Sequence, residues 1–174
     1  MNTYINNYHL IDCPYSDKMT VSIRKAEKDD IPKLADLWYK LASMHEKIMV
    51  GYDLSEDPKK AWIDFILNNF EKESMITFIA EEYESIVGFV TVIIRNRPKI
   101  FKEPKVGMIL DLIVDEDKRN RGIGSSLVDK SERWIRSKGV SVGVLTVAPE
   151  NKNAVSFWED KGYDTYLLKK RKEL

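Results

Sequence analysis

The chain has 174 residues, 43% of them apolar, which suits one domain with a substantial core and calls for no second one. Lys plus Arg and Asp plus Glu each number 28, so no global field draws the protein toward nucleic acid or an anionic membrane, and any charged-partner argument must be local. A single cysteine, Cys13, excludes an internal disulfide framework, and no apolar run reaches the roughly 18 residues that a membrane span needs, so the expected setting is cytoplasmic.

Residues 1–18 mix Asn, Tyr, Asp and Pro without periodicity and carry no signal-peptide pattern. Met19 then precedes Thr20–Ala26, a first strand. The chain thus reads as a single domain over 1–174 whose residues 1–19 are an N-terminal extension. Asp29 or Asp30 can cap a helix that gathers Ile31, Leu34, Leu37, Trp38, Leu41, His45 and Ile48 on one face. After a linker, Val50–Asp57, Pro58 opens a second helix with Ala61, Trp62, Phe65, Ile66 and Phe70 at helical spacing. Met75–Glu82 and Ser85–Arg95 are rich in β-branched and aromatic residues and read as a hairpin. A loop with Pro98 and Pro104 leads to Val106–Val114, whose nearly continuous apolar sequence suits a central strand covered on both faces.

Arg119-Asn120-Arg121-Gly122-Ile123-Gly124-Ser125-Ser126 comes next and opens a helix marked by Ile123, Leu127, Val128, Trp134 and Ile135, which Lys138-Gly139 closes. Such a turn reads as a phosphate cradle. Its glycines let an anion reach the amides, the helix dipole favours negative charge there, and two arginines stand beside it. The dinucleotide fingerprint would need glycine, and the nucleotide P-loop a lysine followed by Ser or Thr, where this chain runs on to Ser125-Ser126-Leu127. Val140–Val147 reads as another strand, Asn151–Lys161 as a short helix closed by Gly162, and Tyr163–Lys169 as a last strand. The predicted order is β-α-α-β-β-β-α-β-α-β, an α/β sandwich.

R-x-x-G-x-G after Leu112-Ile113-Val114, followed some thirty residues on by Asn151-Lys152-Asn153-Ala154 through Trp158 to Gly162-Tyr163, resembles the GNAT superfamily of acetyl-coenzyme A-dependent N-acetyltransferases. The resemblance covers about Val21 to Leu168, with its specific part between Val106 and Tyr163. It implies an αβα sandwich around a mixed, centrally splayed sheet of six or seven strands. It also implies acetyl transfer to an amine by direct attack, without an acyl-enzyme. The cosubstrate's pyrophosphate would rest on the amides of Arg121, Gly122, Ile123, Gly124 and Ser125, with the Arg119 and Arg121 side chains alongside. Its pantetheine arm would lie along Leu112, Ile113 and Val114, in a split between that strand and Val140–Val147. A free N–H near Ile113 would serve as the oxyanion donor. Asn151 matches the asparagine that bonds the coenzyme A arm, and is equally a good helix N-cap.

One departure concerns the acid. Where many members carry a tyrosine that protonates the leaving thiolate, this chain has Trp158, whose N–H donates a hydrogen bond but no proton; Tyr163 and Tyr166 lie near it in sequence and read better as packing. For the base the first candidate is Asp111, a lone carboxylate in an apolar strand, with a structural role as the alternative. Glu81 and Glu82 are weaker candidates, and Met108 stands where some relatives have a glutamate base. His45 reads first as a core residue and secondly as an acceptor-side group. Two distant histidines and one cysteine argue no metal site.

The acceptor is open among small-molecule, peptide and protein amines. Asp53, Glu56 and Asp57 would suit a cation, whereas Arg95, Arg97, Lys99, Lys102 and Lys105 would suit an anion; nucleic acid is not the expected partner. A non-catalytic acetyl-coenzyme A sensor is the alternative reading. Dimerisation through a sheet edge near Tyr163–Leu168 stays open.

Overall fold

The computed structural model describes residues 21–173. The expected extension 1–19, with His9 and Cys13, lies outside them. The elements run β1 (Ser22–Lys25), α1 (Ile31–Ile48), α2 (Pro58–Asn69), β2 (Met75–Glu82), β3 (Ser85–Asn96), β4 (Lys105–Val114), α3 (Ile123–Ser137), β5 (Gly143–Val144) and α4 (Lys152–Asp160). No described helix is long and apolar enough to cross a membrane.

Local chemistry explains the boundaries. Asp30 stands at the N-cap of α1 but gives the helix no side-chain cap. Its carboxylate instead accepts from Arg24 at 2.7 and 3.0 Å and from the Glu27 amide at 2.8 Å, tying β1 to the start of α1. Asp57 does cap α2, accepting from Lys60 N, with Pro58 at the first turn where its missing N–H costs nothing. The β2–β3 hairpin turns on Tyr83 and Glu84, both at positive φ, the twist that a two-residue hairpin loop requires.

The sheet has the order β1-β2-β3-β4-β5, antiparallel up to β4 and parallel between β4 and β5, where α3 makes the crossover. Five strands are present among the described residues, one or two fewer than the six or seven expected. The segment 140–147 contributes only Gly143–Val144, because β5 leaves β4 after Met108↔Val144 and the following residues find no ladder. So short a β5 offers no outer edge, so 163–169 is not a strand, and Tyr166, Leu167 and Leu168 are exposed.

Each face of the sheet carries its own apolar cluster. On one side Val90, Val92 and Ile109 pack with Ile123, Leu127, Val128 and Ile135 of α3 and Trp158 of α4. On the other, Ile79, Phe89 and Ile113 pack with Ile31 and Leu34 of α1 and Trp62 and Ile66 of α2. Burying each of these large side chains contributes about 1.5–3 kcal/mol. Helix α3 approaches β4 so closely that a Cβ on Gly107 would lie 2.5 Å from Ile135.

A bulge in β4 decides what each face presents. Register passes from Thr91↔Asp111 to Val92↔Ile109, leaving Leu110 unopposed. The extra residue reverses the alternation of side chains, so Ile109 points toward α3 while Asp111 and Ile113 point toward α1 and α2.

Candidate active site

The end of β4 builds the cradle. Asp115 N bonds Val87 O at 2.9 Å, a short 3-10 turn follows over Glu116–Lys118, and Arg119 returns its Nε to the Val114 carbonyl at 3.2 Å. Asn120 and then Gly122, the N-cap of α3, take positive φ values of 60° and 76°. Nothing lies within 4 Å of where a Gly122 Cβ would stand, so the turn is open. No side chain caps α3, and the first bond of the helix runs from Ser126 N to Gly122 O. The amides of Ile123, Gly124 and Ser125 therefore have no acceptor within the helix. Ile123 holds the turn down through a buried side chain, and Phe157 covers Gly124 in ordinary contact, 3.5 Å from a Cβ built there.

Arg121 does not stand free beside this turn. Its guanidinium grips Glu82 at 2.5 and 3.4 Å, and Lys118 adds a third contact at 2.7 Å. Arg121 first and Lys118 second hold Glu82, which is 4% exposed, down at about 2. So acidic a group serves no base role; it is the anchor of the loop that carries the cradle. Glu81 is likewise engaged, by Arg24.

Beside the cradle the sheet is split. Only Gly107 and Met108 of β4 pair with β5, so from Ile109 to Val114 the edge of β4 away from β3 has no strand partner among the described residues. Hydrogen bonding alternates along an antiparallel ladder, and the bond from Asp115 to Val87 sets its phase. Asp111 and Ile113 therefore direct their backbone groups at β3, whereas Leu112 and Val114 direct theirs into the split. The acceptance of Arg119 by the Val114 carbonyl agrees with this phase. The N–H that this phase leaves free next to Ile113 is that of Leu112.

Asp111 lies on the opposite face, under α1 and α2. The Trp62 indole N–H donates to its Oδ2 across a long 3.4 Å, and Trp62 stacks on Trp38 with ring centroids 5.7 Å apart and an interplanar angle of 22°. Burial pushes Asp111 up to about 6 against the pull of the Trp62 N–H and the weaker one of Trp38; among the described residues no cation contributes. Tyr52 is near enough for the Asp111 charge to add to burial in raising its phenol, and it meets His45 edge-on at 5.4 Å. His45, Tyr52, Trp38 and Asp111 all remain partly exposed.

The other expected residues separate from this centre. Trp158 is 8% exposed and packs edge-on between Phe157 and Tyr163 in the α3-side core. Asn151 caps α4 by accepting from Ala154 N at 3.1 Å. Burial pushes the Tyr163 hydroxyl up to about 12, while Tyr166 is exposed. Asp57 is occupied as a helix cap, and Arg97 pairs with Glu103 and lies over Phe101. Among the described residues no His, Cys, Asp and Glu group is placed to hold a metal. The indoles above Asp111 and the Glu82 anchor had no distinct signal in the sequence: Trp38 and Trp62 fell on the core faces of their helices, and nothing linked Glu82 to residues 36 and 39 positions away.

Residues 38–163 match the model of the acetyltransferase (GNAT) family. An uncharacterized N-acetyltransferase of Methanocaldococcus jannaschii is 29% identical over 146 residues, which are 83% of this chain and 61% of that relative's length. Among solved structures, a predicted acetyltransferase from Clostridium acetobutylicum with acetyl-CoA superposes with a TM-score of 0.73 at 17% identity, over 87% of this chain and 96% of its own. Glucosamine-6-phosphate N-acetyltransferase from Arabidopsis thaliana follows the same fold with a TM-score of 0.64 at 22% identity, over 88% and 98%.

Proposed function

The chain belongs to the acetyltransferase (GNAT) family, and from that premise we propose that it is an acyltransferase that moves the acetyl group of acetyl-CoA to a primary amine by direct attack in a ternary complex. The observation that carries this reading is the bulged, half-unpaired β4. The strand offers two backbone N–H groups to the split and a single carboxylate to the opposite face. The amides of Ile123, Gly124 and Ser125 take the pyrophosphate, and Arg119 and the donors that Glu82 leaves free on Arg121 add charge. The backbone of Leu112 and Val114 pairs with the pantetheine arm as a further strand would. Asn151 keeps its amide NH2 for that arm while its oxygen caps α4.

In the chemical step Asp111, ionised, takes a proton from the ammonium, directly or through one water, and frees the nitrogen lone pair. The nitrogen attacks the thioester carbonyl carbon, and the Leu112 N–H meets the oxyanion as it forms. Collapse breaks the carbon–sulfur bond as the nitrogen gives up its second proton to water, and Asp111 returns the first to solvent. Trp158 supplies no proton, so the sulfur leaves as thiolate, which a thiol of pKa near ~8.5 tolerates, and is protonated by solvent.

Calorimetric titration with acetyl-CoA, together with thiol release from an amine panel, tests the reading. Gly124→Glu, which sets a carboxylate in the cradle, is expected to abolish binding. Asp111→Asn is expected to keep affinity within about twofold and to lower turnover about 100-fold, the usual scale of a general base. Absence of acetyl-CoA binding overturns the reading. Tight binding with no amine turned over points instead to a domain that senses acetyl-CoA, a role that the missing tyrosine acid at Trp158 would suit.

A further inference from the structure

Asp111 is a partly buried carboxylate that no cation balances among the described residues, and the side chains that hydrogen-bond or couple electrostatically to it there are aromatic: Trp62, Trp38 and Tyr52. Such an acid lacks an ammonium. The wall above it is continuous, since Trp38 stacks on Trp62 and Trp62 tilts against Phe89 at 5.8 Å. Trp62 is buried, whereas Trp38 stays partly exposed and is the indole that a ligand can reach. At the rim stand His45 and Tyr52, both uncharged at neutral pH: burial lowers the imidazole, and burial with the Asp111 charge raises the phenol. Lysines that could have served a phosphate from the same helices are paired, Lys40 with Asp115 and Lys59 with Asp36.

We propose that the acceptor is a primary amine carried on a flat, apolar body, which rests against Trp38 while its ammonium meets Asp111. This rests on the acetyl-transfer reading and names its acceptor class. Phosphorylated or polyhydroxylated amines fit poorly, because they would bring anionic or hydroxyl groups to a surface of indole, imidazole and phenol with few donors to spare. An aryl group recovers stacking energy and buried area there, and the ammonium gains from the carboxylate and the indole face together.

The test compares phenethylamine, n-butylamine and glucosamine 6-phosphate on the full chain. Thiol release measures turnover with saturating acetyl-CoA, and tryptophan fluorescence measures amine binding to the complex with coenzyme A. Phenethylamine is expected to show a KM about tenfold below that of butylamine, the scale of one aromatic contact plus its buried area. Trp38→Leu is expected to erase that preference by raising the KM for phenethylamine to that of butylamine, with any change in kcat shared by the two amines because Trp38 also polarises Asp111, and Trp38→Phe to retain most of it. Acetyl-CoA affinity should be the same in both variants. Equal KM values for the two alkylamines in the wild type, a preference that survives Trp38→Leu, or a better KM for glucosamine 6-phosphate each overturns the proposal and leaves the acetyl-transfer reading intact. Should no amine be turned over, that reading falls and binding decides the acceptor class: saturable quenching by phenethylamine that Trp38→Leu removes supports it, and its absence overturns it.

Discussion

Asp111 is held at about 6 because the fold withdraws it from water and, among the described residues, gives it no cation. That single fact ties activity to stability. As a base it must be ionised, so kcat/KM is expected to fall on the acid side with an apparent pKa close to 6, a limb that Asp111→Asn should remove along with most of the rate. His45 and Tyr52 face the same space, but the first is pushed down and the second up, so neither should shape the profile between about pH 7 and 9. For stability the sign follows from proton uptake. Between the ordinary carboxylate value and about 6 the folded state holds a proton that the unfolded chain has lost, so stability declines as pH rises through that window and is then flat. Keeping the carboxylate charged in the folded state costs on the order of 2–3 kcal/mol, because each tenfold change in its proton affinity is worth about 1.4 kcal/mol. Asp111→Asn should therefore melt higher than wild type at about pH 8 and like it at about pH 4, which a pair of thermal scans would check; a lower melting temperature for the variant at pH 8 would contradict a destabilised carboxylate.

The phosphate turn shows which parts of an element a sequence exposes. Glycine spacing and the strand before it located the turn, and Gly122 at positive φ with an open surround is the conformation that spacing demands. The bulge at Leu110 left no such mark, since no glycine or proline signals it, and neither did the phase that turns the N–H groups of Leu112 and Val114 to the split. Strand 163–169 failed for a different reason: its residues have strand propensity, but propensity needs a ladder, and two-residue β5 provides none. The anchor of the turn is a tertiary pairing, Glu82 from β2 with Lys118 and Arg121, which pattern alone does not report. Glu82→Gln is expected to loosen the turn and raise the dissociation constant for acetyl-CoA several-fold, while the ratio of turnover on different amines stays fixed. Because Glu82 is held at about 2, its stabilising contribution is fully present above the ordinary carboxylate value and is lost as pH falls toward 2. The difference in melting temperature between wild type and variant should accordingly shrink over that range.

Across the described residues, two apolar clusters lie on opposite faces of one sheet, and β4 both leads into the glycine turn and carries Asp111. Antiparallel ladders bind β1 through β4 along their lengths, but α3, β5 and α4 are joined to the sheet by the α3-side cluster and by the β4–β5 pairs Gly107↔Gly143 and Met108↔Val144. The backbone groups of Leu112 and Val114, which face the split, and those of 145–147, which follow β5 without a ladder, are thus the places where a bound strand-like arm has most to add. Elements that bind ligands are drawn from the less protected part of a fold, and the protection a ligand brings should be local. In hydrogen exchange, the amides of Leu112, Val114, Leu145 and Val147 and those of Ile123, Gly124 and Ser125 are expected to exchange quickly in the free protein and slow on addition of acetyl-CoA, while the β1–β2 ladder changes little. At about 100 times its dissociation constant the ligand should add about 2.7 kcal/mol to stability. For a domain of this size that corresponds to roughly 5–10 °C in melting temperature. Equal protection in β1–β2 and at the split would mean that binding only stabilises the fold globally, whereas protection confined to the split and the cradle would trace the arm along the open edge of β4, the strand that carries Asp111 under α1 and α2.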